Sequence, residues 1–159
     1  MRLARYVLGR KRFNYLRGFF PVFSVQAVID FGAAGKPQVL LLRRAEEPAK
    51  GEWWIPGGMV LKTESSGKAL RRIVKRETGL RCTIVRQLPS AREVFRNVPG
   101  IPDGIADCMT ENYLLRPPPQ ARIKLDATST DFRMATAIDK DLHPYVKKHL
   151  MHSGLFYSK

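Results

Sequence analysis

The chain has 159 residues and a formal net charge of +14, with 44% hydrophobic and 26% charged residues. This length predicts one domain that buries about 70% of its unfolded surface and needs neither a disulfide nor a structural metal to fold. The composition fits a soluble globular protein, and no apolar run approaches the ~20 residues of a membrane span.

The charge and the cysteines bear on partners and compartment. A charge of +14 implies attraction to nucleotides, nucleic acid or acidic lipid, and it does not choose among them. Cys82 and Cys108 lack the spacing of a metal site. We therefore expect a reducing, cytoplasmic location, although one disulfide stays open as an alternative.

Residues 1–20 form a basic segment that contains no acid and interleaves aromatic with aliphatic side chains. One interpretation is a helix or arm that packs its apolar side chains on the domain or on a second subunit. A second is a surface patch for nucleic acid or membrane. A third is an organelle transit peptide, for which the segment is poor in Ser. A secretory signal is not expected, because no apolar region precedes a small-residue cleavage site.

Two predicted strands follow, at residues 21–30 and 38–44, and the glycine-containing loop between them predicts a hairpin. Arg43 and Arg44 end the second strand. Because side chains alternate along a strand, one arginine is expected in a cleft and the other in solvent. The same alternation applies to Trp53 and Trp54: one should lie in the core, and Trp53 is our candidate for stacking on a base or sugar.

Residues 57–80 predict a loop followed by a helix. The paired glycines after Pro56 let the backbone approach a ligand closely. Thr63 or Ser65 is the expected N-cap, and Gly79 lies where a glycine would end the helix. Glu77, Ile73 and Arg76 share one face of this helix, and Leu70 and Val74 form a second pair turned toward a core.

The remaining elements complete an α+β pattern with a mixed sheet. Residues 81–88 and 108–116 predict strands separated by a long Pro- and Gly-rich loop, and a second loop at 123–130 precedes a last strand at 130–138. Glu111 lies on the second of these strands, facing either inward or solvent. A closing helix is predicted at 139–153, capped by Asp141, and its histidines are interpreted as surface residues.

Residues 57–80 resemble the Nudix box, whose family pattern is GX5EX7REUXEEXGU with U aliphatic. The matching positions are Gly58, Glu64, Arg72, Val74, Glu77, Gly79 and Leu80. Two positions depart from the pattern: Ile73 replaces the Glu after the Arg, and Arg76 replaces the first Glu of the later pair. The register of glycines, glutamates and arginine makes this a specific match.

The resemblance implies a Nudix-like α/β/α sandwich, formed by residues 21–159, with the box helix against the sheet. It also implies Mg²⁺ held against a substrate diphosphate, with Glu77 and the Gly57 carbonyl as ligands. Glu64 would pair with Arg72 in a structural role, beside the structural Gly58 and Gly79. Ile73 cannot bind metal, and Arg76 would repel it but contact phosphate. One Mg²⁺ is therefore the most that we expect.

Residues 40–58 resemble one branch of the family, the GDP-mannose mannosyl hydrolases, and residues 131–133 do so weakly. In that branch water attacks the sugar carbon, the protein is dimeric, and an arginine at the position of Arg44 helps GDP leave. We therefore favour Arg44 over Arg43 for the substrate.

The chain departs from this branch at several functional positions. The branch's loop Gln-His pair, a metal ligand and the general base, falls on Thr128 and Ser129. Its substrate-contacting Asp falls on Gln26, and an Arg falls on Met59. The candidates for proton removal from water are the acids Asp126, Asp131 and Glu111.

Two functional hypotheses follow. The first is a Mg²⁺-dependent hydrolase of a nucleoside diphosphate linked to another moiety, such as a GDP-sugar, with Arg44 and Arg76 neutralising the diphosphate. The second is a catalytically impaired Nudix-fold protein that binds nucleotide or nucleic acid, which the substitutions at residues 73, 76 and 129 favour. In either case a homodimer formed through the N-terminal arm is a hypothesis.

Overall fold

The described part of the chain contains three helices and seven strands. The computed structural model of the protein describes residues 2–33 and 35–157, and within the first helix it describes side chains from residue 11 onward. In chain order the elements are α1 (Arg2–Arg17), β1 (Val22–Ile29), β2 (Val39–Arg44), β3 (Trp53–Trp54), β4 (Gly57–Met59), α2 (Ser66–Thr78), β5 (Thr83–Phe95), β6 (Ala106–Arg116), β7 (Ser129–Ala135) and α3 (Pro144–Ser153).

The strands form two sheets. One has the order β4-β1-β6-β5 and is mixed, because β1 and β6 run parallel while the other pairs are antiparallel. The second has the order β3-β2-β7 and is antiparallel. The predicted hairpin of β1 and β2 is therefore wrong beyond its base: the isolated bridge between Asp30 and Val39 joins the two segments, which then separate into different sheets.

The core lies on both faces of these sheets. Alternate residues of β1 divide between two apolar clusters: Val25, with Ile73 of α2, belongs to one, and Val28, with Leu150 of α3, belongs to the other. Both helices thus bury an apolar stripe against β-structure, which is how amphipathic elements stabilise a layered fold. The predicted α/β/α arrangement with a mixed sheet is confirmed.

The box helix α2 follows its predicted boundaries closely. Ser65, with an extended backbone, is the N-cap residue, and Gly79 ends the helix with a φ of 74° and a backbone N–H that donates to the Lys75 carbonyl. Glycine adopts this left-handed conformation without the steric cost that a Cβ would add. Sequence left Thr63 and Ser65 both open as caps, and the structure selects Ser65.

The predicted long loop at residues 89–107 is wrong over its first part, because β5 continues through Pro89 to Phe95, and the loop is confined to residues 96–105. Two features permit a proline there. The strand lies at the edge of its sheet, where a missing N–H costs least, and the register shifts between Leu88 and Ala91. The Pro89 carbonyl also accepts a hydrogen bond from the buried Asn112 amide at 2.8 Å.

Helix α3 is shorter than predicted and has a different cap. It begins at Pro144, and the Nδ1 of His143 accepts a hydrogen bond from the Tyr145 N–H in place of the predicted Asp141 cap. Gly154 ends it as expected. The prediction that all histidines lie on the surface is wrong for His149, which is 1% exposed and packs toward β5.

The basic N-terminal segment is helical over Arg2–Arg17, with a kink at Gly9. Phe13 is buried, whereas Tyr15, Leu16, Phe19 and Phe20 are exposed. Among the described side chains of residues 11–20, Phe13 is thus buried, and several aromatic and basic side chains are exposed. Within the described residues, no helix is both long and apolar enough to cross a membrane.

Candidate functional site

One cleft brings together two of the charged side chains that the sequence marked as candidates, Arg44 and Glu77, with the Gly57–Gly58 turn. Its walls come from the end of α1, the strands β1 to β6 and the box helix. The lining includes Arg44, Gly57, Gly58 and Glu77, together with Ser24, Gln26, Trp54, Glu93, Phe95, Thr128 and Ser129. Arg44 and Glu77, assigned from distant parts of the sequence, therefore face the same space.

The loop before the box helix is tied to it by a fork-shaped ion pair. Arg72 donates from Nε and Nη2 to the two oxygens of Glu64 at 2.8 and 2.7 Å, and Nη2 also donates to the Met59 carbonyl at 2.9 Å. The hydrogen bonds from Arg72 lower the pKa of Glu64 to about 2. The pairing that the sequence predicted is present, and it fixes the path of residues 59–64.

The carboxylate of Glu77 lies at the junction of α2 and the glycine turn. Its Oε2 accepts from the Gly57 N–H at 3.1 Å, and its Oε1 accepts from Nη2 of Arg76. Burial raises the pKa of Glu77 to about 7, against the opposing influence of Arg76. A Cβ at position 57 would lie 2.7 Å from the Cγ of Gln26, so only glycine lets the turn approach β1 this closely.

The donor set fits one divalent cation and no more. Among residues 2–33 and 35–157, no group of three or more His, Cys, Asp or Glu side chains could hold a metal ion. Within the box, Glu77 is the carboxylate that lines the cleft, and its oxygens keep free lone pairs beside their N–H donors. Mg²⁺ commonly accepts one or two carboxylates and completes its shell with substrate phosphate and water.

Arg44 lies in the cleft and Arg43 does not, as predicted. The Nε of Arg44 donates to the Pro48 carbonyl at 2.7 Å, and its guanidinium lies 5.5 Å from the ring of Trp54. Burial lowers the pKa of Arg44, and the nearby carboxylates Glu77 and Glu93 oppose that shift. Arg43 is exposed and donates to the Gly51 carbonyl.

The choice of Trp53 for stacking on substrate is wrong. The register pairs Trp54 with Leu42 on the cleft side, so Trp54 lines the cleft and Trp53 faces away from it. There the Trp53 ring contacts the guanidinium groups of Arg133 and Arg43, with 4.9 and 6.0 Å to the ring centroid. Alternation predicted that the two rings diverge but could not say which one faces the ligand.

The three acids proposed for proton removal are in different places. Asp131 pairs with Arg43 in the strand register, is exposed and lies away from the cleft. Glu111 lies beside Val25 on the α2 face of the sheet, where it accepts from the Tyr113 hydroxyl at 2.7 Å. Neither residue lines the cleft.

Asp126 is nearest to the box helix, and it is coupled to the other predicted phosphate contact. Its Oδ2 lies 3.3 Å from Nε of Arg76, while its Oδ1 accepts from the Thr128 N–H at 2.9 Å. Arg76 therefore bridges Glu77 and Asp126. Its charge is shared between two carboxylates of the protein.

Sequence reasoning missed a buried polar group in the floor of the cleft. Glu93 is 2% exposed and contacts the Nε2 atoms of both Gln26 and His149. A signal was present: Leu88, Ala91, Glu93 and Phe95 are spaced as the inward positions of a strand with one bulge. Pro89 concealed it, because the proline favoured a loop.

Comparison with known proteins decides the family. The family model of the NUDIX domain matches residues 22–131, which is more than half of the chain. The chain belongs to the Nudix family. The glycine turn, the Glu64–Arg72 tie and Glu77 described above are thus the Nudix box of this domain.

Relatives of this Nudix domain include proteins of differing length. The Low-salt glycan biosynthesis protein Agl8 of Haloferax volcanii is 30% identical over 132 residues, which cover 82% of this chain and 80% of Agl8. The crystal structure of a MutT/nudix family protein from Enterococcus faecalis matches 72% of the chain at 24% identity with a TM-score of 0.58. The chain spans only 43% of the length of that protein.

A second similar structure carries a ligand. It is the NUDIX domain of Shewanella oneidensis NrtR complexed with ADP ribose, which is 20% identical to this chain. The match covers 86% of this chain and 84% of that one, with a TM-score of 0.56. At this identity the likeness concerns the fold alone.

Proposed function

We propose that the protein is a Mg²⁺-dependent hydrolase of a nucleoside diphosphate linked to a second group. The observation that carries the proposal is the meeting of Arg44, Glu77 and the Gly57–Gly58 turn in one cleft. A diphosphate needs positive charge and N–H donors on one side and a site for a cation on the other. Bound Mg²⁺ would neutralise part of the diphosphate charge and polarise its oxygens.

The residues of this chain have separate roles in that proposal. Glu77 and the Gly57 carbonyl would hold the cation, and the N–H of Gly57 holds the Glu77 carboxylate in position. Arg44 would bind a diphosphate oxygen and stabilise the departing nucleoside diphosphate. Partial burial strengthens such a contact, because fewer water molecules compete for the guanidinium.

A GDP-sugar is the substrate that we propose for testing first. Support comes from the resemblance of residues 40–58 to the GDP-mannose mannosyl hydrolases and from the likeness to Agl8, whose name refers to glycan biosynthesis. The NUDIX domain of NrtR binds ADP ribose, which is also a nucleoside diphosphate joined to a sugar. For proton removal from water we propose Asp126, because of the three predicted acids it alone contacts Arg76.

The decisive experiment is a panel of GDP-mannose, ADP-ribose and dinucleotides, incubated with Mg²⁺ or with EDTA. Free sugar and phosphatase-sensitive phosphate are measured, and labelled water shows whether carbon or phosphorus is attacked. We expect Mg²⁺-dependent release of sugar from a nucleoside diphosphate sugar, with the label in the sugar. Absence of turnover with every compound would exclude the hydrolase proposal.

A specific contact favours a second candidate, a Nudix-fold protein that binds nucleotide or nucleic acid without efficient chemistry. Arg76 lies on Glu77, where a guanidinium competes with a metal ion for the carboxylate. This candidate predicts tight binding of nucleotides that Mg²⁺ neither strengthens nor converts. Calorimetric titration of GDP with and without Mg²⁺, beside the turnover panel, separates the two candidates.

A further inference from the structure

We infer that Gln26 and Glu93 form an acceptor subsite in the floor of the cleft. The subsite binds a ring that presents two neighbouring hydrogen-bond donors, such as the diol of a sugar or the N–H edge of guanine. Which molecule carries this ring rests on the proposed function. The subsite itself rests on the contacts of three buried side chains.

The first support is the way in which Glu93 is held. Nε2 of Gln26 lies 3.2 and 3.1 Å from the two oxygens of Glu93, and Nε2 of His149 also contacts Oε1. These residues belong to β1, β5 and α3, and their exposed fractions are 6%, 2% and 1%. Three separate elements thus fix one carboxylate that lines the cleft.

The second support is an acceptor that the protein does not use. The amide nitrogen of Gln26 faces the two oxygens of Glu93, so its carbonyl oxygen faces elsewhere. That Oε1 atom is buried and has no hydrogen-bond partner among the described residues. Buried polar atoms are nearly always paired, so an unpaired one in a cleft points to a ligand donor.

The third support is the position of the subsite. Gln26 is the register partner of Gly57, and the turn that contains Gly57 would contact the diphosphate. Trp54 and Phe95, whose ring centroids are 5.7 Å apart, add an apolar wall to the same cleft. A flat or ring-shaped group joined to a diphosphate would contact this wall with one face and the acceptors with its edge.

His149 is a positioning residue in this arrangement. It is buried behind Glu93, on the side away from the cleft lining, and its contact reaches the substrate only through the carboxylate. Replacing it should change the selectivity among ligands through the orientation of Glu93. A purely structural role would lower stability without altering that selectivity.

The experiment measures the dissociation constants of GDP-mannose, GDP and ADP by calorimetry in EDTA, where no turnover occurs. Two ratios of dissociation constants are informative. The constant of GDP divided by that of GDP-mannose reports a sugar contact, and the constant of ADP divided by that of GDP reports a guanine contact. We expect the parent to show at least one ratio above about tenfold, and Glu93→Gln to reduce that ratio at least fivefold, because an amide presents a donor to a donor. His149→Gln should reduce the same ratio by a smaller factor.

Two further variants control the result. Asp103→Asn changes an exposed loop acid outside the cleft and should keep both ratios. The exchange of Gln26→Glu with Glu93→Gln keeps one amide and one carboxylate, and it serves as the test if Glu93→Gln alone fails to fold. Ratios near one in the parent, or ratios unchanged in a folded Glu93 variant, would overturn the inference.

These outcomes are independent of catalysis. Loss of the binding ratio with turnover still absent in the parent rejects the proposed hydrolase and supports the subsite. Turnover in the parent, with ratios that Glu93→Gln leaves unchanged, supports the proposed hydrolase and rejects the subsite.

Discussion

At the scale of single residues, the cleft depends on two carboxylates with opposite environments. Glu64 is held ionised by Arg72, whereas Glu77 is buried and its pKa is raised to about 7. Both belong to the box. Glu64 pairs with Arg72, whereas Glu77 faces the cleft. Their substitutions should therefore separate stability from activity.

Replacing Glu77 by Gln tests the metal assignment. The change keeps the size of the side chain and removes the only box carboxylate that faces the cleft, so Mg²⁺-dependent turnover should be abolished while the fold persists. Turnover is compared with and without EDTA, and circular dichroism checks the fold. A variant that keeps Mg²⁺-dependent turnover within a few-fold of the parent would remove Glu77 from the metal site.

Replacing Glu64 by Gln tests the tie between loop and helix. The two charge-assisted hydrogen bonds from Arg72 should make the parent more stable at pH 7 by about 1–2 kcal/mol of unfolding free energy. The pKa of Glu64 is lowered from 4.5 to about 2, so this contribution is complete above pH 4.5 and is lost as the pH falls toward 2.

Denaturant titrations of parent and Glu64→Gln across that range measure the difference. The difference in unfolding free energy between the parent and Glu64→Gln should disappear as the pH falls toward 2. Equal unfolding free energies at pH 7 would show that the ion pair does not stabilise the fold. A difference that persists near pH 2 would show that it has a cause other than the charge of Glu64.

At the scale of elements, the box helix shows why its two departures from the family pattern differ in kind. Ile73 is fully buried in the cluster that joins α2 to the sheet. Arg76 is half-buried at the edge, where it bridges Glu77 and Asp126. The first position belongs to the core, and the second belongs to the site.

Restoring glutamate at both positions should therefore fail to rebuild a metal cluster. Ile73→Glu places a carboxylate in an apolar core and should lower the unfolding free energy by about 3 kcal/mol or more. Arg76→Glu adds a third acid beside Glu77 and Asp126. Ile73→Val, as the matched control, should cost only about 1 kcal/mol. A folded variant with both Ile73→Glu and Arg76→Glu that binds additional Mg²⁺ and cleaves a dinucleotide at phosphorus would contradict this prediction.

Sequence was sufficient for elements whose signals are local. The caps, the glycines and the Glu64–Arg72 spacing located α2. Alternation predicted that Arg43 and Arg44 diverge, and the family resemblance favoured Arg44 for the cleft. Sequence failed where the deciding partner lies far along the chain. The register with β2 decides which of Trp53 and Trp54 lines the cleft, and the contact of Glu93 with His149 joins residues 56 positions apart.

At the scale of the whole molecule, the distribution of charge and apolar surface is uneven. The net charge is +14, and the acid-free N-terminal segment contributes to it. Within this segment, Tyr15 and Phe19 pack with ring centroids 5.0 Å apart while both remain exposed. Phe23 of β1 and its register partner Met109 are also exposed. Such a surface suits an anionic partner, a membrane or a second copy, and these stay alternatives.

Deleting residues 2–12 separates these alternatives, because it removes the basic part of α1 and keeps the buried Phe13. If the segment is an anion-binding patch, the shortened chain should bind RNA or heparin more weakly. Each lost phosphate contact should reduce the slope of log affinity against log salt by about 0.7 to 0.9. Binding is measured by fluorescence anisotropy between about 50 and 300 mM salt, and light scattering gives the mass of both forms.

An unchanged slope with a lower melting temperature would instead show that the helix serves packing. A dimer that becomes a monomer on deletion would assign the segment to the subunit interface, since like-charged copies associate only when buried apolar area outweighs their repulsion.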